Sequence, residues 1–257
     1  MCIASDMAKS EPDVLVRDKL QQELLSRIAE HSNISEMLIF HGGTMLRHYI
    51  YDTYRYSEDL DFYLSGISRD ELCDLLETII LDMSEIFVEE NLQFVRYPEG
   101  ADYIIFGENR ESGWINFDIL KEIPELDVET ERLALLGRYS DINTSATIPC
   151  MSLLDVVASK YNCLGNRVEP RDVYDFFRLS DSENIVYDAW TKYCSTWQYR
   201  RHPLRPEETL KAFPGWKSAH KNLWDEESSK LQFPSDPGFD VAYGLVLQVF
   251  ESLSPNM

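Results

Sequence analysis

Phe40-His41-Gly42-Gly43-Thr44-Met45-Leu46-Arg47, followed by Arg55-Tyr56-Ser57-Glu58-Asp59-Leu60-Asp61-Phe62, is the stretch on which the reading of this chain turns. It opens with a short apolar strand over 37–40, passes through a Gly-Gly-Thr turn and enters a helix over 44–51 that buries Met45, Leu46 and Ile50. A loop then leads into a second strand over 59–64, where acidic and apolar residues alternate. Residues two apart on a strand point to the same face, so Asp59 and Asp61 project side by side. Two carboxylates held that close repel one another, and a hard divalent cation relieves the repulsion. The turn upstream opens a helix N-terminus whose free N–H groups, with the Thr44 hydroxyl, can receive phosphate oxygens.

A Gly-Gly pair alone describes many turns, and Asp-x-Asp alone describes many solvated strand ends. In this order and on these elements, they point together to metal-assisted nucleotidyl transfer. The pattern Gly-Gly-Thr, a gap, then Arg-x-Ser-x-Asp-x-Asp-Phe resembles the first motif of the DNA polymerase β-like nucleotidyltransferase superfamily. The Arg-x-Ser flank and the fifteen-residue step from Thr44 to Asp59 resemble, within it, the AbiEii/AbiGii-type toxin branch.

Outward from this motif, an amphipathic helix over 13–31 carries Leu15, Leu20, Leu24, Leu25 and Ile28 on one stripe. Ser68 caps a helix running to about residue 87, with Leu72, Leu75, Leu76, Ile79 and Ile80 inward. Two short strands, 92–97 and 103–106, flank a Pro98-Glu99-Gly100 turn. A strand over 114–120 puts Asn116, Asp118 and Leu120 on one face. Residues 121–150 read as an acidic connection with a short helix near 131–136.

Helices over 152–164 and from Pro170 follow, then 184–197, 206–213, 216–231 and 239–253, punctuated by prolines. Trp190, Trp197, Trp216 and Trp224 suit packing positions among them. The order implies an α/β (α+β) protein: a small mixed sheet flanked by helices over 1–150, and a helical domain over 151–257 that completes an active-site cleft.

The segment Lys160 … Arg167-x-x-Pro170-Arg171-Asp172-x-Tyr174-Asp175 is similar to the downstream motifs of the same toxin branch. By itself it is a helix-surface lysine and an ion-paired helix start. The resemblance implies that Lys160 is a phosphate-binding cation and that Asp175, with Asp172 second, is an acid needed for activity. It further implies Mg²⁺ held by Asp59 and Asp61, with Asp118 as the candidate third carboxylate. Gly42, Gly43, Thr44, Ser57 and Lys160 then seat a nucleoside triphosphate. His41 invites a general-base role or simply shapes the turn. Arg55 has two readings as well, a phosphate contact or a salt bridge to Glu58 or Asp59.

The resemblance also implies a toxin with a separate antitoxin partner. Transfer RNA 3′ ends are the acceptor in characterised relatives, against the alternatives of a protein or small-molecule acceptor. A non-catalytic nucleotide-binding protein is the second class, but it would show erosion of the acids or the lysine. A metal-dependent phosphohydrolase is the third, and the five histidines have no paired ligand spacing for one.

Composition narrows these readings. An apolar fraction of 44% supports a sizeable core. Cys2, Cys73, Cys150, Cys163 and Cys194 are scattered and odd in number, with no CxxC or Cys/His pair at metal-ligand spacing, which argues against a zinc site and fits a reducing cytoplasm. No N-terminal apolar leader segment and no apolar run of bilayer length is present in the sequence, so no membrane role is expected. A net charge of −21 argues against general duplex binding. Between Lys192 and Lys221, seven Lys/Arg face two Glu, a basic stretch that reads as a solvated face or an RNA contact.

Overall fold

The structure is a computed structural model describing residues 14–64, 66, 68–83, 95–99, 103–107, 113–120, 128–166, 169–180, 185–195 and 205–254. In chain order its helices are α1 (Val14–Glu30), α2 (Ser32–Ser35), α3 (Gly42–Met45), α4 (Arg69–Asp82), α5 (Leu153–Asn166), α6 (Pro170–Leu179), α7 (Ile185–Ser195), α8 (Pro206–Lys230) and α9 (Phe239–Ser252). Its strands are β1 (Leu38–His41), β2 (Asp59–Leu64), β3 (Val95–Glu99), β4 (Tyr103–Gly107), β5 (Gly113–Leu120), β6 (Thr130–Ala134) and β7 (Thr147–Met151). They form one mixed sheet in the order β3-β4-β5-β2-β1-β7-β6.

Chain contacts divide the molecule into two compact units. One takes Met1–Phe40, Glu58–Glu122 and Leu133–Ile148; the other takes His41–Ser57, Ile123–Arg132 and Pro149–Met257. The expected division after residue 150 falls beside the Ile148/Pro149 crossing, but the Gly-Gly-Thr segment groups with the C-terminal helices rather than with the strand that precedes it.

In the first unit, α1 buries Leu20, Leu24, Leu25 and Ile28, while Leu15 at its start is exposed. The other buried face of α1 is polar. Gln22 Nε2 donates to the Leu136 carbonyl (3.1 Å), Ser26 Oγ to the Asn143 carbonyl (2.6 Å), and Asp18 accepts from the Tyr139 hydroxyl (2.8 Å). Each bond ties α1 to the segment that follows β6. Ser68 starts α4 with a capping box: its Oγ accepts from the Glu71 N–H, and the Glu71 carboxylate accepts from the Ser68 N–H. Leu72, Leu76, Ile79 and Ile80 face inward from α4, whereas Leu75 is exposed. Phe40 of β1 stacks on Phe62 of β2 at 4.8 Å between ring centroids.

β3 and β4 form the expected antiparallel pair, but Pro98 and Glu99 lie within β3 opposite Ile104 and Tyr103. The expected start of the first of these strands at 92–94, and the end of the preceding helix at 84–87, lie outside the described residues. Three further expectations are corrected. Residues 130–134 form β6, not a helix: β-branched Thr130 begins an edge strand, and its acidic pattern follows from exposure rather than helical charge pairing. Residues 147–151 form β7 with Pro149 inside it; the alternation of buried Ile148, Cys150 and half-buried Thr147, Pro149 was there to find. Finally, Pro206–Lys230 is one helix with Pro214 inside it, not two, because Phe213 and Trp224 both anchor it in the core.

In the second unit, Tyr161 of α5 sits amid Phe176, Trp190 and Phe250, making edge-on contacts with all three rings. Its hydroxyl donates to the Val186 carbonyl (2.7 Å). α8 and α9 meet through Phe213, Tyr243, Trp224 and Phe239. Trp224 is buried, Trp190 and Trp216 are half-buried, and Trp197 lies outside the described residues. Pro170 occupies the first turn of α6, where its missing N–H costs no helical bond.

Candidate active site

β2 and β5 run parallel, with Asp59 in register with Asn116 and Asp61 with Asp118. Residues in register across neighbouring strands occupy the same sheet face, as do residues two apart on one strand. Asp59, Asp61 and Asp118 therefore hold three same-face positions on adjacent strands. Asp59 and Asp61 are both half-buried, an exposure that keeps carboxylates within reach of a solvated cation. Their hard oxygen donors suit a divalent ion such as Mg²⁺. Among the described side chains, which do not include that of Asp118, no group of three His, Cys, Asp or Glu forms a metal-binding set.

The second unit carries the turn and the cations. β1 ends at His41, and Gly42 turns the chain with φ of +79°, a left-handed conformation that a side chain resists. Gly43 is required for a different reason. A Cβ there would lie 2.8 Å from Arg55 Nη2 and 3.1 Å from Ser57 Oγ, so the backbone of the turn rests directly against these two side chains. Thr44 is fully buried, while Gly42 and Ser57 are half-buried. The helix expected over 44–51 starts two residues earlier, as α3, and widens into a π-helical turn over Leu46–Ile50. Arg47 on that turn donates to the Tyr54 carbonyl and lies 3.8 Å from the Tyr56 ring centroid, tying both ends of the intervening loop.

Arg55 points away from either partner expected for it. It grips Asp175 of α6, with Nε 2.6 Å from Oδ1 and Nη2 2.7 Å from Oδ2, while Nη1 donates to the Tyr56 carbonyl. The same carboxylate accepts from the Tyr54 hydroxyl (2.8 Å) and meets Lys160 Nζ at 2.6 Å; Lys160 also lies 3.5 Å from Asp172. Both acids are fully buried, and Arg55 and Lys160 nearly so. Burial alone would push the Asp175 carboxyl up, but Arg55 and Lys160 outweigh it and hold the group well below the usual carboxylate range. Burial works against the charges of Arg55 and Lys160 too, and their acids outweigh it, with Asp175 foremost; both stay protonated. Removing one member would strand buried charge, so the four groups stand or fall together.

Lys160 and Asp175 are thus brought together with the Gly-Gly turn, but as a closed ion-pair cluster rather than as groups facing solvent. Sequence reasoning missed Arg55 as the link, because its partner lies 120 residues away. The Arg-x-Ser flank was the available signal, since Arg55 and Ser57 both pack against Gly43. His41 belongs to the same neighbourhood. The residue is half-buried but its Nε2 is sealed from solvent, and burial, then Lys160, lower its pKa to about 3. A ring held neutral across the physiological range is a poor pH-7 base, which favours the turn-shaping role.

The basic stretch resolves into local pairs. Lys192 meets Glu129 and Asp155, Arg205 meets Glu208, and Lys217 and Lys221 share Asp240. Apart from buried Asp155 these partners are exposed, consistent with the solvated-face reading; residues 200 and 201 lie outside the described set.

A strand carrying paired acids in one unit, and a glycine turn against buried cations in the other, are the elements a nucleotidyltransferase uses. Residues 23–244 match the family model described as "Nucleotidyl transferase AbiEii toxin, Type IV TA system", and the chain belongs to that family. Among solved structures, MenT4, a nucleotidyltransferase toxin from Mycobacterium tuberculosis H37Rv, superposes with a TM-score of 0.62 at 17% identity, over 95% of this chain and 85% of that one. An antigenic nucleotidyltransferase-like protein from Paracoccidioides brasiliensis matches with a TM-score of 0.37 at 16% identity, over 76% of this chain and 93% of that one. No curated protein matches the sequence. The protein is a nucleotidyltransferase toxin of the type IV toxin–antitoxin class, and that class implies an antitoxin partner. Among the described residues, no helix is long and apolar enough to cross a membrane.

Proposed function

We propose that the protein transfers a nucleotide from a nucleoside triphosphate to an acceptor hydroxyl, with the 3′ end of a transfer RNA as the acceptor. The observation that carries the reading is the β2–β5 register, which aligns Asp61 with Asp118 two residues after Asp59. Asp59 and Asp61, with Asp118 third, would hold Mg²⁺. The ion supplies charge neutralisation on the triphosphate and on the departing pyrophosphate. Gly42, Gly43, Thr44 and Ser57 seat phosphate oxygens, and Ser57 is only two residues from Asp59 along the chain. Thr44 is fully buried, so its part is to hold the shape of the turn that presents its neighbours.

The acceptor oxygen bonds to the α-phosphorus, the bridging P–O bond to the β-phosphate breaks, and pyrophosphate leaves. The hydroxyl proton passes to a site carboxylate, for which Asp118 is the candidate. Lys160 lends positive potential from beneath the turn rather than by direct contact. Asp175 is a positioning residue: it fixes Arg55 against Gly43 and keeps Lys160 charged. Both are essential in this reading although neither faces solvent.

Incubation of the protein with Mg²⁺, each α-labelled nucleoside triphosphate in turn, and total RNA tests the proposal. Label in small RNA with the intact protein and none with Asp61→Ala is the expected result. Label in protein or a small molecule would keep the chemistry and replace the acceptor. No transfer with any triphosphate would overturn the reading.

A further inference from the structure

We infer that Arg17 and Gln21, on the polar face of α1, are positioning residues that set the metal-binding geometry of Asp59. The inference rests on the proposed function, in which Asp59 and Asp61 hold a divalent cation. β2 begins at Asp59, so Glu58 is the residue directly before the strand. α1 holds it by two bonds. Gln21 Nε2 donates to the Glu58 carbonyl (3.1 Å), and Arg17 Nη1 donates to the Glu58 carboxylate (3.2 Å).

Both donors come from a buried helix face: Gln21 is fully buried and Arg17 nearly so. Two bonds, one to the main chain and one to the side chain, fix both the position and the rotation of the residue directly before Asp59. A cation held by carboxylates on two neighbouring positions tolerates little drift in either. Partners one shell out from metal ligands are typically worth ten- to a hundredfold in affinity.

Nothing in the surface charge of Arg17 explains its placement. It is four residues from Gln21, one helical turn, so both reach the same point. Their neighbour Gln22 is buried on the same helix but bonds to the Leu136 carbonyl, far along the chain from the acids. Gln22 therefore provides an internal control. Its loss removes one helix-to-carbonyl bond as the loss of Gln21 does, without touching Glu58.

Mn²⁺ binding to the full chain, read from the loss of the free-ion EPR signal without nucleotide, separates the possibilities. Arg17→Met and Gln21→Met are expected to weaken Mn²⁺ binding by about tenfold. Arg17→Lys should recover part of the loss, and Gln22→Met should lower the unfolding midpoint comparably while leaving Mn²⁺ affinity unchanged. Unchanged affinity in Arg17→Met and Gln21→Met would overturn the inference, as would an equal loss in Gln22→Met. Should Asp59→Asn and Asp61→Asn bind Mn²⁺ as the parent does, the metal reading itself falls, an outcome distinct from failure of the positioning role alone. If Gln21→Met does not fold, the milder Arg17→Lys still decides: its affinity must fall between parent and Arg17→Met.

Discussion

Arg55 and Asp175 are joined inside the protein by two parallel hydrogen bonds, Nε to Oδ1 at 2.6 Å and Nη2 to Oδ2 at 2.7 Å, across 120 residues of chain. One end lies against the glycine turn and the other on α6, where the same carboxylate pairs with Lys160 of α5.

Breaking this pair from one side should be costly. Asp175→Asn leaves Arg55 and Lys160 buried beside a neutral amide, and a loss of about 3–5 kcal/mol in unfolding free energy is expected. Arg55→Met should lose a similar amount. The double variant Arg55→Met/Asp175→Asn should lose less than the two singles together, because each single already forfeits the same paired hydrogen bonds. Urea denaturation of the four proteins checks the cycle; strict additivity would contradict the coupling.

The two glycines should fail differently. Gly42→Ala meets backbone strain at φ +79° and should cost about 1 kcal/mol with Arg55 undisturbed. Gly43→Ala places a methyl 2.8 Å from Arg55 Nη2 and should cost about 1–3 kcal/mol by displacing the guanidinium. A Gly43→Ala protein as stable as the parent would show that the contact gives way freely.

Acid sensitivity should come from His41 before Asp175. The folded ring has a pKa of about 3 against an ordinary 6.5, so the unfolded chain binds the proton first, and stability falls as pH drops from about 6.5 toward 3. Asp175 has a depressed pKa, so its contribution is fully present above the unfolded value of about 3.9 and is lost only as pH falls through the lower folded value. Replacing His41 by Leu should flatten the decline between about pH 6.5 and pH 4 and leave the steeper loss below it. A parent protein with constant unfolding free energy over that interval would refute the His41 assignment.

At the start of α4, Ser68→Ala removes the hydroxyl that accepts from Glu71 N–H and should cost about 1 kcal/mol. Glu71→Ala should cost a comparable amount, and the double variant little more than either alone, since each half of the box orients the other. Thermal melts of the three variants are sufficient.

What the sequence disclosed, and what it withheld, follows one physical line. Features written in neighbouring residues were legible: the alternation of β2, the stripe of α1, the cap at Ser68, Pro170 opening α6, and the order of the glycine turn and paired acids. Features that depend on distant partners were not. Arg55 could be read as pairing with Glu58 or Asp59, because no local pattern announces Asp175. Lys160 looked like a surface cation because helix periodicity does not show that two buried acids await it. Pro214 read as a helix break, since propensity counts the lost hydrogen bond but not the packing of Phe213 and Trp224 on either side. The polar face of α1 was likewise hidden: no local pattern announces the carbonyls that Gln21, Gln22 and Ser26 serve.

The grouping of residues 41–57 with 149–257 has a consequence for synthesis. A ribosome producing this chain releases the glycine turn and Arg55 long before α6. At roughly 5–20 residues per second, the 120 residues separating Arg55 from Asp175 take about 6–24 s to make. Until then the guanidinium has no buried carboxylate to close on, and the turn lacks the support that holds it in shape. A chain interrupted before Asp175 carries the glycine turn and Arg55 yet lacks the carboxylate that holds them together, so this part of the second unit matures only when most of the polypeptide has been made.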